Sequence, residues 1–197
     1  MPDNLTIYKF KITKALRNKK NNHNSFVIWL VGLSGSGKST IANALEQVLY
    51  EKNCNTYVLD GDNIRLGINN DLGFTDQARK ENIRRVAEIA KLIMDAGVVV
   101  LSSFISPFEA DRQMAKSIIG ASNFIEVFVD CPIDVCEQRD SKGLYSKARK
   151  GEIKKFTGID SPFETPQTPY IHVLSNALSV DACVSKIFNE IEKKLWA

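Results

Sequence analysis

Residues Gly32 to Ser39 read GLSGSGKS, set between the apolar run FVIWLV and the segment TIANALEQVLYEK. This is the G-x-x-x-x-G-K-S spacing in the context it needs, a strand before it and a helix after it. Glycines let successive backbone N–H groups turn toward phosphate oxygens, and the helix N-terminus adds a favourable dipole. Gly32, Leu33, Ser34, Gly35, Ser36, Gly37, Lys38, Ser39 and Thr40 are therefore the expected cradle for ATP. Lys38 would reach the β- and γ-phosphates, and the Ser39 hydroxyl would bind Mg²⁺. The bland alternative is a chance glycine turn. Kinases, GTPases and ATP-driven machines all use such a loop, but no N-K-x-D guanine-reading element follows, and 197 residues are few for a motor. Phosphoryl transfer to a small acceptor is the leading class.

A second cluster follows in VLDGDNIR, residues 58 to 65, where Asp60 and Asp62 flank Gly61 and Arg65 stands one short turn beyond. Strand ends on the carboxyl edge of a parallel sheet line the ligand crevice, so these groups are expected beside the phosphate loop. With Ser39, Asp60 and Asp62 make the candidate metal set. Asp62 could instead take a proton from an attacking hydroxyl, and Arg65 suits an anionic acceptor. An Asp-Gly turn with a solvated Arg would also produce this pattern. A third stretch, VVVLSSFISPFEADRQ, ends an apolar run without a carboxylate. Ser106 in it could be a nucleophile, a substrate contact or a cap. The order Ser106, Pro107, Glu109 fits a capping box that starts a helix.

Positioning these groups requires a sheet and its helices. FVIWLV, TYVL, VVVLSSF, IEVFV and IHVL alternate with longer amphipathic segments, which predicts an α/β phosphate-loop fold: a parallel five-stranded sheet flanked by helices on both faces. Ile83, Val86, Ala87, Ala90, Ile93 and Met94 share one face of a helix from Asp76 to Ala96, with Gly97 as its stop. Val180, Val184, Ile187, Ile191 and Leu195 repeat as a closing core helix. Residues 1–25 are polar and basic and read as an extension, with RNKKNNHNS as a flexible approach to a single domain over 26–197. Between Arg139 and Lys155, seven Lys or Arg face Asp140 and Glu152 with little apolar periodicity. That region, about 139–156, reads as a basic lid or as a solvated loop.

Composition sets limits. With 44% hydrophobic and 25% charged residues the chain is an ordinary globular protein, and a net charge of +3 does not indicate a nucleic-acid partner. Cys54, Cys131, Cys136 and Cys183 have no C-x-x-C spacing and read as reduced buried thiols. The N-terminus has neither an apolar core nor a cleavage site typical of secretion, and no stretch approaches a membrane span, so a cytoplasmic setting without membrane contact is expected.

Taken together, DGDN-R, ARKENIRR, FISPFEADRQ, KGLYSKARKGEI and FTGIDSPFETP, in order from about Trp29 to Pro169, resemble the adenylylsulfate kinase family. The resemblance implies transfer of the ATP γ-phosphoryl group to the 3′-hydroxyl of adenosine 5′-phosphosulfate (APS), giving 3′-phosphoadenosine 5′-phosphosulfate (PAPS). It places acceptor contacts at Asp62, Asn63, Arg65, Phe74, Arg79, Asn82, Ile105, Ser106, Lys142 and Phe156. Phe74 and Phe156 suit an adenine ring, and Arg65 and Arg79 suit phosphate or sulfate oxygens. Catalysis would fall to Lys38, Asp62 and Arg139 in the lid, with Ser106 matching a position that carries phosphoserine in some members. A direct in-line transfer makes that phosphorylation unnecessary for turnover, leaving Ser106 to cap its helix and touch the acceptor.

The resemblance also implies a homodimer and a separate sulfurylase upstream, since the chain ends soon after its last helix. Three positions depart from the family pattern: Ala78 where Asp is usual, Phe163 where Tyr is frequent and Ser146 where Lys is frequent. Competing readings are a phosphate-loop kinase of another small acceptor and a nucleotide-binding module without catalysis.

Overall fold

In the computed structural model, which describes Thr6 and residues 8–196, five strands form one parallel sheet in the order β2-β3-β1-β4-β5. They are β1 Val27–Val31, β2 Thr56–Asp60, β3 Val99–Ser103, β4 Phe124–Asp130 and β5 Ile171–Leu174. Each coincides with one of the apolar runs. The helices are α1 Lys14–Asn21, α2 Lys38–Glu51, α3 Gly61–Leu66, α4 Asp76–Asp95, α5 Glu109–Ile119, α6 Ile133–Gln138, α7 Leu144–Arg149 and α8 Val180–Leu195.

All five residues of β1 are fully buried, because side chains alternate between two covered faces. Ile28 and Leu30 pack toward α2 and α8, against Ile41, Leu45, Leu49, Ile187 and Ile191. Val27, Trp29 and Val31 point the other way, toward Ile83, Val86, Ala87 and Ala90 of α4 and Ala115 and Ile119 of α5. Between them the two cores hold β1 rigidly. Its carboxyl end lies where its neighbours diverge, with β3 on one side and β4 on the other. A ligand crevice belongs at such a switch point.

Two local expectations are corrected. The polar run before β1 is a docked helix: Thr13 caps α1, the Asn21 amide donates to the Gly97 carbonyl at 2.9 Å, and Lys14 reaches the Asn123 side chain at 2.8 Å. Polar ties hold it, and no apolar stripe announces it. Second, Ser106 is not a helix cap. Phe108 occupies the N-cap of α5, and the Glu109 N–H donates to the Glu164 carboxylate at 2.6 Å, so the cap comes from far along the chain. Within the basic stretch, Tyr145, Ala148 and Phe156 form a small core with Cys131 and Cys136, beside partly buried Leu33.

Candidate functional site

The loop 32–37 carries the chain from β1 into α2, with Gly37 at the N-cap in a left-handed conformation. Gly35 also has positive φ, and a Cβ there would lie 2.8 Å from the Cys136 carbonyl, so only glycine lets the loop pass α6. Lys38 is buried and donates to the Leu33 carbonyl at 2.7 Å, with Ser36 Oγ at 3.4 Å. Ser36 is held in turn by Ser175, whose hydroxyl donates to its carbonyl at 2.7 Å. Gly32, Ser34 and Thr40 complete the loop and the first turn of α2.

Burial pushes the Lys38 ammonium from its usual value down to about 8. A phosphate beside it would restore the charged form. ATP binding is therefore expected to take up a proton above pH 8 and to weaken as pH rises through that value. Calorimetric titration in buffers of differing ionisation enthalpy reads this directly, and a binding enthalpy independent of buffer at pH 8.5 would contradict it.

At the carboxyl end of β2, Asp60 accepts from Ser39 Oγ at 2.7 Å and caps α3 by accepting from the Asp62 N–H at 3.1 Å. Ser103, at the end of β3, places its Oγ 3.2 Å from Ser39 Oγ. These hard oxygen donors suit Mg²⁺, which takes one or two carboxylates and keeps several waters. No cluster of three or more His, Cys, Asp or Glu that could hold a metal occurs among the described residues. Of the expected metal set, Ser39 and Asp60 come together, while Asp62 turns to an ion pair with Lys142. That bond raises the Lys142 ammonium above its ordinary value.

The expected acceptor residues divide into two groups. Arg65 donates to the carbonyls of Leu72 and Gly73 and stacks 4.5 Å above the Phe74 ring, which is 64% exposed. Arg79 on α4 donates to the Phe74 carbonyl, to Thr157 Oγ1 and to the Lys155 carbonyl, joining the helix to the chain at 155–157. Burial lowers both guanidinium values, and the nearby Arg79 lowers Arg65 further. Asn82 is buried, its Oδ1 accepting from Asn69 at 3.0 Å. Asn63 is exposed on α3.

Ile105 and Ser106, two more of the expected acceptor residues, follow the end of β3. Ser106 is buried in a left-handed conformation, φ 45°, and its Oγ accepts from Trp29 Nε1 at 3.0 Å. Phe156 packs edge-on to Tyr145 with ring centroids 4.9 Å apart, and so is more enclosed than Phe74. The Tyr145 hydroxyl donates to the Ser34 carbonyl at 2.9 Å, linking α7 to the phosphate loop. Arg139 donates to the Ser175 carbonyl at 3.0 Å. Since Ser175 also holds Ser36, the Arg sits beside the loop's support. Sequence reasoning missed Ser103, Tyr145, Ser175 and Asn69. Only Tyr145 carried a signal, as the aromatic residue of KGLY within an otherwise basic run.

Of the departures, Phe163 stacks on Phe128 at 6.1 Å, which needs no hydroxyl. Ser146 is exposed, and its N–H is one of three at the start of α7 that point to the Asp140 carboxylate. Ala78 donates its N–H to Thr75 Oγ1, the cap of α4.

Comparison with known proteins adds the chemistry. A family model described as adenylylsulphate kinase matches residues 24–174. An adenylyl-sulfate kinase of Thermodesulfovibrio yellowstonii is 52% identical over 194 residues, covering 98% of this chain and 96% of the relative. Among solved structures, an APS kinase of Mycobacterium tuberculosis in complex with AMPPNP and APS is 44% identical, with a TM-score of 0.83 over 86% of this chain and 98% of that one. A hexameric APS kinase from Thiobacillus denitrificans is 26% identical with a TM-score of 0.67; the match covers 92% of this chain and 32% of that longer one.

Proposed function

The chain belongs to the adenylylsulphate kinase family, and from that premise we propose how its site performs the reaction. The enzyme transfers the γ-phosphoryl group of ATP to the 3′-hydroxyl of APS, giving PAPS and ADP. The observation that best supports this reading is the burial of Lys38 against the Leu33 carbonyl in the phosphate loop, on the donor side, with the Arg65 and Arg79 guanidiniums near one another on the acceptor side.

Phosphoryl transfer asks mainly for alignment and charge neutralisation. The backbone of residues 32–37 and Lys38 hold the β- and γ-phosphates. Ser39 and Asp60 would hold Mg²⁺, which when bound would offset charge on the phosphate oxygens. Arg65 and Arg79 receive the phosphosulfate, while Phe74 and Phe156 flank adenine. Asp62 accepts the hydrogen bond, and then the proton, of the attacking 3′-hydroxyl. Lys142 and Arg139 belong to the lid over 139–156, whose closure would exclude water from the γ-phosphate. A homodimer, a cytoplasmic setting and supply of APS by an adenylyl transfer to sulfate complete this reading.

The test is an assay that follows ADP release and separates 3′-phosphorylated product, with APS, AMP and gluconate offered in parallel. Product from APS alone supports the reading. Binding of ATP without any 3′-phosphorylated product would leave only a nucleotide-binding module.

Ser106 has a defined place in this scheme. Its Oγ already accepts the Trp29 N–H and is 1% exposed, which is a poor setting for a phosphoryl carrier. Ser106→Ala is expected to lower stability by about 1–3 kcal/mol, because the buried indole N–H loses its acceptor. Turnover should fall less than about tenfold, since no step passes through this hydroxyl. Denaturant titration and steady-state rates check both parts, and a folded but inactive variant would revive a phosphoserine intermediate.

A further inference from the structure

Arg112 is 1% exposed, a rare condition for a guanidinium, and its hydrogen bonds go neither to the phosphate loop nor to the residues that Arg65 and Arg79 bind. Its bonds join three parts of the chain. Nη1 donates to the Ser106 carbonyl at 2.9 Å, and Nη2 donates to the Glu164 carbonyl at 2.8 Å and to the Glu109 carboxylate. Nε lies 3.3 Å from Glu126 on β4 without forming a hydrogen bond. The same two segments are tied twice more: the Glu164 N–H donates to the Pro107 carbonyl at 2.8 Å, and the Glu164 carboxylate caps Glu109.

Ser106 keeps a left-handed backbone that a residue with a Cβ adopts only when its surroundings impose it. Trp29 holds its side chain and Arg112 its carbonyl. Glu164, for its part, ends the segment that begins at Phe156 and includes Thr157, the Arg79 partner. We propose that Arg112 is a positioning residue for the acceptor: it fixes the Ile105–Ser106 wall at a set distance from the 156–164 segment, so that both meet one APS molecule. This rests on the APS reading above. Arg112 touches no substrate, and its effect passes through the Ser106 carbonyl and the Glu164 backbone.

A cavity of about 670 Å³ opens on Arg112, Glu109, Glu126 and Glu164 among others. It leaves space into which the ties made by Arg112 and Glu164 could relax once the guanidinium is removed. Hence the expected selectivity: the acceptor half loosens while the phosphate loop, held from the opposite side by Cys136, Tyr145 and Ser175, does not.

The experiment measures KM for APS and for ATP, together with kcat, in the wild type, Arg112→Gln and Glu164→Ala. Arg112→Gln is expected to raise KM for APS by about ten- to a hundredfold, the scale of a displacement near one ångström, with KM for ATP changed less than about twofold. Glu164→Ala, an exposed change that removes one of the ties, should shift KM for APS in the same direction by a smaller factor. Equal changes in both KM values, or a lower melting temperature with neither KM changed, would overturn the proposal. If Arg112→Gln does not fold, Glu164→Ala decides, and an unchanged KM for APS in that variant overturns it. Wild-type turnover of APS is measured in the same series, so a failure of the functional reading is seen separately.

Discussion

Replacing Lys38 with Met is expected to lower kcat by about 10²–10³-fold or more, the usual effect of removing one preorganised charge from a transition state. The side chain is buried at the mouth of α2 and bonded to the carbonyl of Leu33. It also approaches Ser36 Oγ at 3.4 Å. The ammonium is therefore held ready at the cost of desolvation, as its lowered value of about 8 records. Met fills a similar volume and carries no charge, so folding should be unharmed or improved while phosphate binding is lost. Thermal denaturation beside single-turnover kinetics separates the two. A variant with native stability and more than a tenth of wild-type turnover would remove Lys38 from the mechanism.

Asp62→Asn is expected to lower kcat by about 10²–10⁴-fold, the range for loss of a positioned proton acceptor. The amide keeps shape and hydrogen-bonding capacity but cannot accept the 3′-proton or attract Lys142. Because Asp62 is exposed and contributes only its N–H to the start of α3, the substitution leaves the fold alone. Lys142→Met removes the other half of the ion pair and should cost less, since Asp62 is then free for the acceptor from the outset. Rapid-quench measurement of PAPS formation in both variants distinguishes a proton acceptor from a charge that merely arranges the lid. Equal losses would favour the second.

Much of this architecture was readable from periodicity. β1 is a continuous apolar run because both of its faces are covered, and α4 and α8 show a clear stripe because each has one buried side. The phosphate loop was readable for a different reason: its glycines, Lys and Ser keep a fixed local spacing, although what excludes a side chain at Gly32 and Gly35 is the remote backbone of Val129 and Cys136. What escaped was whatever depends on partners remote in sequence. Helix α1 is fastened by Asn21 to Gly97, 76 residues away, with no apolar pattern to reveal it. Ser106, Pro107 and Glu109 satisfied the local rule for a capping box, yet Trp29 and Glu164 compete more effectively for those groups from 77 and 55 residues away. Likewise Ser103 joins Ser39 only because β3 and β1 are neighbours in the sheet.

Trp29 lies within the sheet, and its indole N–H is bonded to the wall expected to meet APS. An indole so placed is an optical probe already wired to the acceptor half of the site. The chain has two tryptophans, and the other, Trp196, is 46% exposed at the end of α8. Exchanging Trp196 for Phe leaves a single emitter, so arrival of the second substrate can be followed by intrinsic fluorescence without label, coupling enzyme or turnover.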